Sequence, residues 1–277
     1  MGGPAPGPLS RGTLRAVNPR RLWKIAKYRR VQRRLAGPKL LRAFAERYES
    51  PFFVEIGAND GDHHDHLRPF ILSRPWRGIM VEPVPYIFER LVRNYGGIDR
   101  VIPANVAIGE RDGELPFYHL AEPGPEERER LPDWFDGIGS FSRAAVVSHA
   151  RAIPDVEERI VEREVPAMTF DSLCRQNAVE SVDLVVIDTE GYDWQILQSI
   201  DLAAWHPRLV IYEHYHLTPD EQASSRAHLE EAGYETMEEG FDTFCLDASE
   251  EDSLTRTWRR LRPAVRAVYA HEEPVAS

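Results

Sequence analysis

Short hydrophobic runs alternate with segments of helical periodicity along the chain from Phe52 onward. Apolar runs of about four to eight residues between turn signals are typical of strands buried on both faces of a parallel sheet. The predicted strands are FFVEIG, RGIMVEP, RVIPANVAIG, VDLVVID and RLVIYEHYH, and the predicted helices are YIFERLVRNY, TFDSLCRQN, YDWQILQSI and TPDEQASSRAHLEEAG. This alternation predicts a doubly wound α/β sheet. A closing hairpin of YETMEE and TFCLD adds an antiparallel strand at the end.

The segment from about residue 121 to 160 interrupts this alternation. The stretch AEPGPEERERLPDWFD has no apolar periodicity and predicts a loop-rich insertion after a short strand at LPFYHL. The stretch GIGSFSR, residues 137–143, fits either a lid over a neighbouring site or an ordinary surface loop.

The composition indicates a globular protein. The chain has 277 residues, 42% of them hydrophobic, which suffices for one large domain or two small ones. No apolar run reaches the roughly 18 to 20 residues of a membrane-spanning helix, and MGGPAPGPLSRG lacks the apolar stretch of a secretory signal. Only two cysteines occur, too few for a disulfide framework. We therefore expect a cytoplasmic location.

The net charge of −11 is unevenly distributed. Residues 1–50 hold 13 Lys and Arg against two Glu, a balance of +11 that leaves −22 for the remainder. A basic segment of this kind could bind a nucleic acid or an anionic membrane surface. The leucines and aromatic residues between its arginines instead favour amphipathic helices that pack on the acidic remainder of the chain. We therefore expect no DNA or RNA partner, and at most weak contact of residues 11–47 with an anionic membrane surface.

These patterns predict four parts of the chain. They are a disordered N-terminus (1–20), a basic helical arm (21–50), a main domain (51–248) that contains the insertion, and a C-terminal helix and tail (249–277). The oligomeric state stays open.

Two acids mark the ends of the first two predicted strands. Glu55 precedes the glycine turn GANDG, residues 57–61, in which Asn59 stands where a dinucleotide fingerprint needs a glycine. Glu82 ends the second strand, about 20 residues beyond the turn, where an acid commonly accepts hydrogen bonds from ribose hydroxyls. Together they predict a nucleoside site without a pyrophosphate, which disfavours a nicotinamide-dependent oxidoreductase.

The next two predicted strands end in acids and histidines. Asp188 and Glu190 follow VVI, and Glu213, His214 and His216 end RLVIYEHYH. If the strand continues, alternation places His214 and His216 on one side. Carboxylates beside imidazoles suit general-base chemistry or a divalent metal ion.

The cluster DGDHHDH, residues 60–66, invites a metal site. Six adjacent polar residues cannot all face one ion, and Asp and His at a helix start often cap it instead. We predict a helix entry here, with no metal ligands.

The combined motifs resemble the FkbM-type methyltransferases, which depend on S-adenosylmethionine. The resemblance is carried by VEIGANDG, VEPVPYIFERLVRN, NVAIGERDGELPFY and VPAMTFDSLCRQNAVESVDLVVIDTEGYDWQILQSI, in that order, between about Phe52 and Asp247. Two positions depart from the pattern: Phe170 stands in place of a usual leucine, and Val186 in place of a common lysine.

The resemblance implies a class I methyltransferase fold, a Rossmann-like sheet of seven strands with the last antiparallel. It also implies O-methylation of a hydroxyl on a sugar, a glycolipid or a secondary metabolite, with a small molecule or glycan as the acceptor. The resemblance places Asp188 beside the methyl group and Glu190 beside the acceptor. With His214 as a candidate for the base that removes the acceptor proton, the predicted catalytic residues are Asp188, Glu190 and His214. The cofactor-binding residues that the resemblance implies are Glu55, Gly57, Asn59, Gly61, Glu82, Asn105 and Asp188.

Two alternatives stay open. One is a metal-assisted O-methyltransferase that holds a divalent ion through Asp188, Glu190 and His214. The main prediction includes no metal ligand. The other is a non-catalytic module that docks through the basic arm.

Overall fold

A computed structural model of the chain describes residues 35–63 and 65–264. Its strands are β1 (Phe52–Ile56), β2 (Arg77–Val81), β3 (Val101–Ala104), β4 (Ala107–Ile108), β5 (Gly113–Leu120), β6 (Gly139–Ser140), β7 (Ile160–Met168), β8 (Leu184–Ile187), β9 (Leu209–Glu213), β10 (Tyr234–Glu239) and β11 (Asp242–Asp247).

The helices in the described residues cover both faces of the main sheet. They are α1 (Ala36–Arg47), α2 (Arg68–Ser73), α3 (Pro85–Tyr95), α4 (Pro125–Arg128), α5 (Arg143–Val147), α6 (Val156–Arg159), α7 (Phe170–Gln176), α8 (Asp193–Ser199), α9 (Leu202–Trp205), α10 (Pro219–Glu231) and α11 (Ser253–Leu261). Short 3₁₀ helices occur at Phe135–Gly137, Ser148–Arg151 and Arg262–Ala264. None of the described helices is long and apolar enough to span a membrane.

The main sheet has seven strands in the order β10-β11-β9-β8-β1-β2-β3. All neighbours are parallel except β11, which runs antiparallel to both β9 and β10. The predicted doubly wound sheet with an antiparallel last strand is therefore confirmed. Strand order reverses at β1, which lies between β2 and β8, and ligands of such sheets bind outside the strand ends at this point.

Alternate residues of the strands enter two separate cores. Phe53 packs with α1, α2 and α3 on one face, while Val54 packs with α7 and α8 on the other. Burial on both faces is the reason that the strands are continuous apolar runs. Helix α10 begins with the predicted capping box, in which Thr218 and Glu221 bond each other's backbone amides and Pro219 follows.

The insertion is more structured than its sequence indicates. A second sheet in the order β4-β7-β5-β6 carries it, with β7 antiparallel to β5 from end to end. The strand predicted at RVIPANVAIG is divided at Asn105, because β3 joins the main sheet and β4 joins the second sheet.

The two chain ends are described only in part. The predicted disordered residues 1–20 and the first part of the predicted basic arm, residues 21–34, lie outside the described residues. Within the arm's range, α1 buries Leu40 and Phe44 completely and contacts α11.

Candidate active site

The carboxyl ends of β2, β1, β8 and β9 meet at one edge of the main sheet. Ile56 is level with Val81 and with Ile187, which is in turn level with Tyr212. The residues that follow these positions therefore form one concave edge, which we call the cleft. Glu55, Glu82, Asp188 and Glu213 all lie in it or at its border.

The turn after β1 is fitted tightly against its neighbours. The backbone amides of Gly57 and Ala58 both donate to the carbonyl oxygen of Val81, at 3.0 and 2.9 Å. Gly57 has a φ of 84°, and a Cβ on it would collide with the carbonyl oxygen of Asp188. Only glycine fits this position without strain, so the turn keeps the backbone open beside the end of β8.

Glu82 is fixed by the turn that it faces. Its Oε2 accepts from the backbone amide of Asn59 at 3.1 Å, and its Oε1 accepts from that of Val84 at 2.8 Å. Burial raises the pKa of Glu82 to about 8, against the opposing effect of these hydrogen bonds. The side-chain amide of Asn105 donates to the carbonyl oxygens of Glu82 and Pro83, at 2.8 and 3.1 Å. Asn105 thus holds the strand end in place, and its predicted cofactor contact stays a prediction.

Two buried carboxyl oxygens in the cleft have no hydrogen-bond donor among the described residues. Glu55 is 7% exposed and its Oε2 has no hydrogen-bond partner among the described residues. Burial, then the charges of Asp65 and Asp188, raise its pKa well above its ordinary value. The Oε2 of Glu213 is likewise buried without a partner there. Unpaired buried acids are costly, so a cleft of this kind favours a cationic ligand.

Asp188 lies within this group of acids and remains accessible to water, although protein atoms surround it in the concave cleft. Burial, then the nearby charges of Glu190 and Asp193, raise the pKa of its carboxyl well above the ordinary value. An accessible acid with a raised pKa is a stronger base than an ordinary aspartate once it is ionised.

Asp193 supports the loop after β8 and was not predicted as a site residue. It is fully buried, and its Oδ2 accepts from the Thr189 hydroxyl at 3.0 Å and from the Gly191 amide at 3.3 Å. Its Oδ1 accepts from the backbone amide of Glu213 at 3.3 Å. Asp193 therefore ties the loop that carries Glu190 to the end of β9.

Glu190 contacts two histidines. Its Oε2 lies 3.0 Å from Nε2 of His216 and 3.7 Å from Nε2 of His149. Burial alone would raise the pKa of Glu190, but the two imidazoles outweigh it and lower the pKa to about 2. Glu190 also has a φ of 53°, a left-handed conformation that non-glycine residues adopt at some cost and that is common at functional sites.

The insertion covers this side of the cleft. A Cβ added to Gly137 would lie 3.3 Å from Oε1 of Glu190 and 3.6 Å from Nδ2 of Asn59, so the backbone at Gly137 lies directly against both. His149 belongs to the 3₁₀ helix Ser148–Arg151, and its ring lies 5.7 Å from that of Trp134. Residues 137–143, left open as a lid or a surface loop, thus begin next to two predicted site residues.

Asp136 anchors the insertion on α3. Its carboxylate bonds Nη1 of Arg90 at 2.8 Å and both terminal nitrogens of Arg128, and the Tyr86 hydroxyl donates to it at 3.3 Å. The guanidinium of Arg128 and then that of Arg90 hold the pKa of Asp136 below its usual range, although burial opposes them.

His214 follows β9 and packs against β11. Its side chain is fully buried, and its Nδ1 is 2.9 Å from the hydroxyl of Thr243 on β11. The expectation that His214 and His216 share a side is wrong, because β9 ends at Glu213 and the chain turns, with the Leu217 amide donating to the His214 carbonyl. The set of Asp188, Glu190 and His214 is accordingly not gathered around one point in the described part of the chain.

The cluster at residues 60–66 serves the entry to α2. Asp60 accepts from the amides of Asp62 and His63 and pairs with the His63 ring at 2.7 Å. Asp65 accepts from the amides of Leu67 and Arg68, where α2 begins. The predicted helix entry is confirmed for the described residues of this cluster, which exclude His64. Gly61 packs below it against the Tyr95 ring.

Known proteins resemble this chain over its main domain. The family profile described as Methyltransferase FkbM domain matches residues 55–236. The protein named 2-O-methyltransferase NoeI, from Sinorhizobium fredii (strain NBRC 101917 / NGR234), is 27% identical over 152 residues, which are 53% of this chain and 56% of that protein. The chain therefore spans a little over half the length of this curated relative.

Two solved structures are more distant. Methyltransferase FkbM from Methylobacillus flagellatus KT superposes with a TM-score of 0.45 at 13% identity, covering 72% of this chain and 44% of that chain. Fibrillarin from Aeropyrum pernix, solved with natively bound S-adenosyl-L-methionine, gives a TM-score of 0.37 at 10% identity, covering 72% of this chain and 67% of that chain.

Proposed function

The chain belongs to the FkbM methyltransferase family, and from that membership we propose that it transfers a methyl group from S-adenosylmethionine to a hydroxyl oxygen. The proposed acceptor is a sugar, a glycolipid or a secondary metabolite. The name of the curated relative, a 2-O-methyltransferase, supports an oxygen as the acceptor atom, whereas the class of acceptor molecule follows only from the resemblance, because fold alone does not define a substrate.

One observation carries the proposal: Glu82, Glu55 and Asp188 lie at the ends of three adjacent strands where the strand order reverses, and the buried Oε2 of Glu55 has no hydrogen-bond partner among the described residues. S-adenosylmethionine carries a sulfonium and an ammonium group, and its ribose offers two hydroxyls. The unpartnered Oε2 of Glu55 and the nearby Asp188 suit the positive groups. Glu82, already oriented by two backbone amides, suits the ribose hydroxyls. The residues present therefore fit this cofactor.

The bound cofactor would supply a methyl group that the positive sulfur already activates. The chain would then have to place the acceptor oxygen in line with that methyl group and exclude water. The insertion at Trp134 and Gly137 closes the cleft beside Asn59 and Glu190, which suits both tasks. We assign the removal of the acceptor proton to Asp188, which is accessible and has a raised pKa. Glu190, held by His149 and His216, would orient the acceptor.

Charge supports a small, uncharged or cationic acceptor. The cleft is lined by the carboxyl groups of Glu55, Asp188, Glu190 and Glu213, and the lowered pKa of Glu190 keeps it ionised, so a phosphate-rich ligand such as a nucleic acid would meet a negative charge there. We therefore propose that the acceptor is a hydroxyl of a small molecule or a glycan, and that the chain has no DNA or RNA partner.

Calorimetric titration with S-adenosylmethionine and with S-adenosylhomocysteine tests the cofactor assignment. We expect both to bind the wild-type chain, and Glu82→Ala to weaken binding about 10-fold or more, because the two ribose hydroxyls lose their hydrogen-bond acceptor and each such hydrogen bond is worth about 0.5–1.5 kcal/mol. Glu89→Gln is the matched control, since Glu89 is an exposed acid on the adjacent α3. Absence of binding to wild type would refute the proposal, and unchanged binding by Glu82→Ala would refute the ribose assignment.

A further inference from the structure

Three side chains from separate parts of the chain converge beside the cleft. His149 comes from the insertion, Glu190 follows β8, and His216 follows β9. Among the residues that the structure describes, they are the one set of three His, Cys, Asp or Glu residues whose ligand atoms all lie within 4.8 Å of one another. Metal bonds of about 2.0–2.2 Å place neighbouring ligand atoms roughly 2.8–3.6 Å apart. The observed 3.0 and 3.7 Å from Oε2 of Glu190 are close to that range.

The orientation of His149 is the second observation. Its Nδ1 lies 3.2 and 3.3 Å from the carbonyl oxygens of Ala145 and Val146, which can only accept, so Nδ1 carries a proton. In the neutral ring, Nε2 then presents a lone pair to the carboxylate of Glu190. The side chain is only 8% exposed, and its Nε2 is buried without a hydrogen-bond partner in the described residues.

This arrangement calls for a positive charge between His149 and Glu190. A lone pair facing a carboxylate oxygen at 3.7 Å is repulsive, and that distance is too long for a hydrogen bond. Metal-binding histidines commonly donate their other ring nitrogen to a backbone carbonyl, as His149 does. A proton would bridge only two of these side chains, whereas a metal ion would contact all three, whose ligand atoms lie within 4.8 Å of one another.

We propose that His149, Glu190 and His216 bind one divalent ion of a first-row transition metal, such as Zn²⁺ or Co²⁺. Two imidazoles and one carboxylate are ligands that these ions prefer, whereas Mg²⁺ and Ca²⁺ prefer oxygen ligands throughout. The site differs from the earlier alternative of Asp188, Glu190 and His214. Three protein ligands leave a coordination position for water or for an acceptor oxygen. The metal site itself does not depend on the proposed function, whereas binding of an acceptor oxygen to the ion does.

The test is titration of the chelator-treated, desalted full chain with CoCl₂ and ZnCl₂ near neutral pH. Heat and the visible absorption of Co²⁺ are followed, without cofactor or acceptor. We expect one ion per chain, and at least 10-fold weaker binding in His149→Gln, Glu190→Gln and His216→Gln, since even outer-sphere changes cost about 10- to 100-fold. The Co²⁺ bands should also change in each of these variants.

Two control variants separate this site from other histidines. His206→Gln removes a histidine that lies 3.3 Å from Asp247 and belongs to no set of three ligand residues in the described part of the chain. His63→Gln removes a ring that pairs with Asp60 and is 67% exposed in its side chain. Both should bind Co²⁺ as the wild type does. Loss of binding in His63→Gln alone would overturn the proposal and move the ion to the cluster at residues 60–66.

Other outcomes are equally decisive. Absence of a stoichiometric ion in the wild type would overturn the proposal and leave His149 as a protonated partner of Glu190. Thermal unfolding of the metal-free variants shows whether they fold. Because the three substitutions lie in three separate segments, one folded variant is enough to test the metal site. The metal titration needs no S-adenosylmethionine, so a chain that binds Co²⁺ but not the cofactor would refute the proposed function and leave the metal site standing.

Discussion

At the scale of single residues, Gly57 carries a sharp prediction. Its φ of 84° and the closeness of the Asp188 carbonyl leave no room for a side chain. We expect Gly57→Ala to lower the free energy of unfolding by about 2–4 kcal/mol, from strain and collision together. Urea unfolding measures this. Gly97→Ala is the control, because a Cβ at Gly97 would have no neighbour within 4 Å. Equal effects of the two substitutions would contradict the geometry of the turn.

Glu82 predicts how stability depends on pH. Its pKa is about 8 in the folded chain, above the ordinary 4.5 that applies after unfolding. Between these values the folded chain holds a proton that the unfolded chain lacks, so stability falls as the pH rises from about 4.5 to 8.

Glu82→Gln should remove that contribution. The free energy of unfolding of the variant should fall less steeply as the pH rises, and its slope should differ from that of the wild type by up to about 1.4 kcal/mol per pH unit. The altered hydrogen bonds add a cost that does not depend on pH. Chemical unfolding of both proteins at several pH values in the absence of cofactor gives the two slopes. Parallel slopes would show that Glu82 is already ionised in the folded chain.

The acids at strand ends could be predicted from the sequence, whereas the residues contributed by irregular segments could not. Glu55, Glu82 and Asp188 could be predicted to converge, because the carboxyl ends of parallel strands meet at one edge. His149 gave no signal, since it lies in an aperiodic segment 41 positions before Glu190 and belongs to no local motif. The relative orientation of His214 and His216 could not be predicted, because the sequence does not show that β9 stops at Glu213.

At the scale of elements, the insertion should be loosened by a change at its anchor. Asp136→Asn removes the charge that holds Arg90 and Arg128, and we expect local stability to fall by about 1–3 kcal/mol. Hydrogen exchange should therefore accelerate about 5- to 150-fold across residues 121–159 and remain unchanged in β1 and β8.

An exposed pair in the same insertion supplies the control for Asp136. Arg143 and Glu157 form an ion pair whose side chains are 50% and 63% exposed. Glu157→Gln should change exchange little, because exposed pairs contribute about 0–1 kcal/mol. Faster exchange throughout the main sheet of Asp136→Asn would show that Asp136 supports the whole fold and is not a local anchor.

The elements differ in how far the sequence predicts them. Strands β1, β8 and β9 are buried on both faces and therefore appear as apolar runs. Strand β7, IVEREVPAM, carries three consecutive exposed charged residues and is stabilised by its pairing with β5, so no apolar run marks it. The break between β3 and β4 was missed for a related reason, since both parts are apolar and only their pairing partners differ.

At the scale of the whole molecule, the sheet and the insertion contribute differently to the cleft. The main sheet supplies Glu55, Glu82 and Asp188 from strand ends whose positions are set by backbone pairing. The insertion adds His149 and the backbone at Gly137, which are held through Asp136. The first group follows from fold class and could be predicted, whereas the second depends on how one irregular segment folds back.

The origin of His149 in the insertion has a consequence for how such proteins diversify. Surface segments that cover a cleft are the parts that vary most readily among relatives. Here that segment borders the cleft at Gly137 and supplies one of the two imidazoles around Glu190. An exchange of the segment would therefore change the shape of the cavity and the reactivity around Glu190 in a single event, so that selectivity and chemistry would be inherited together.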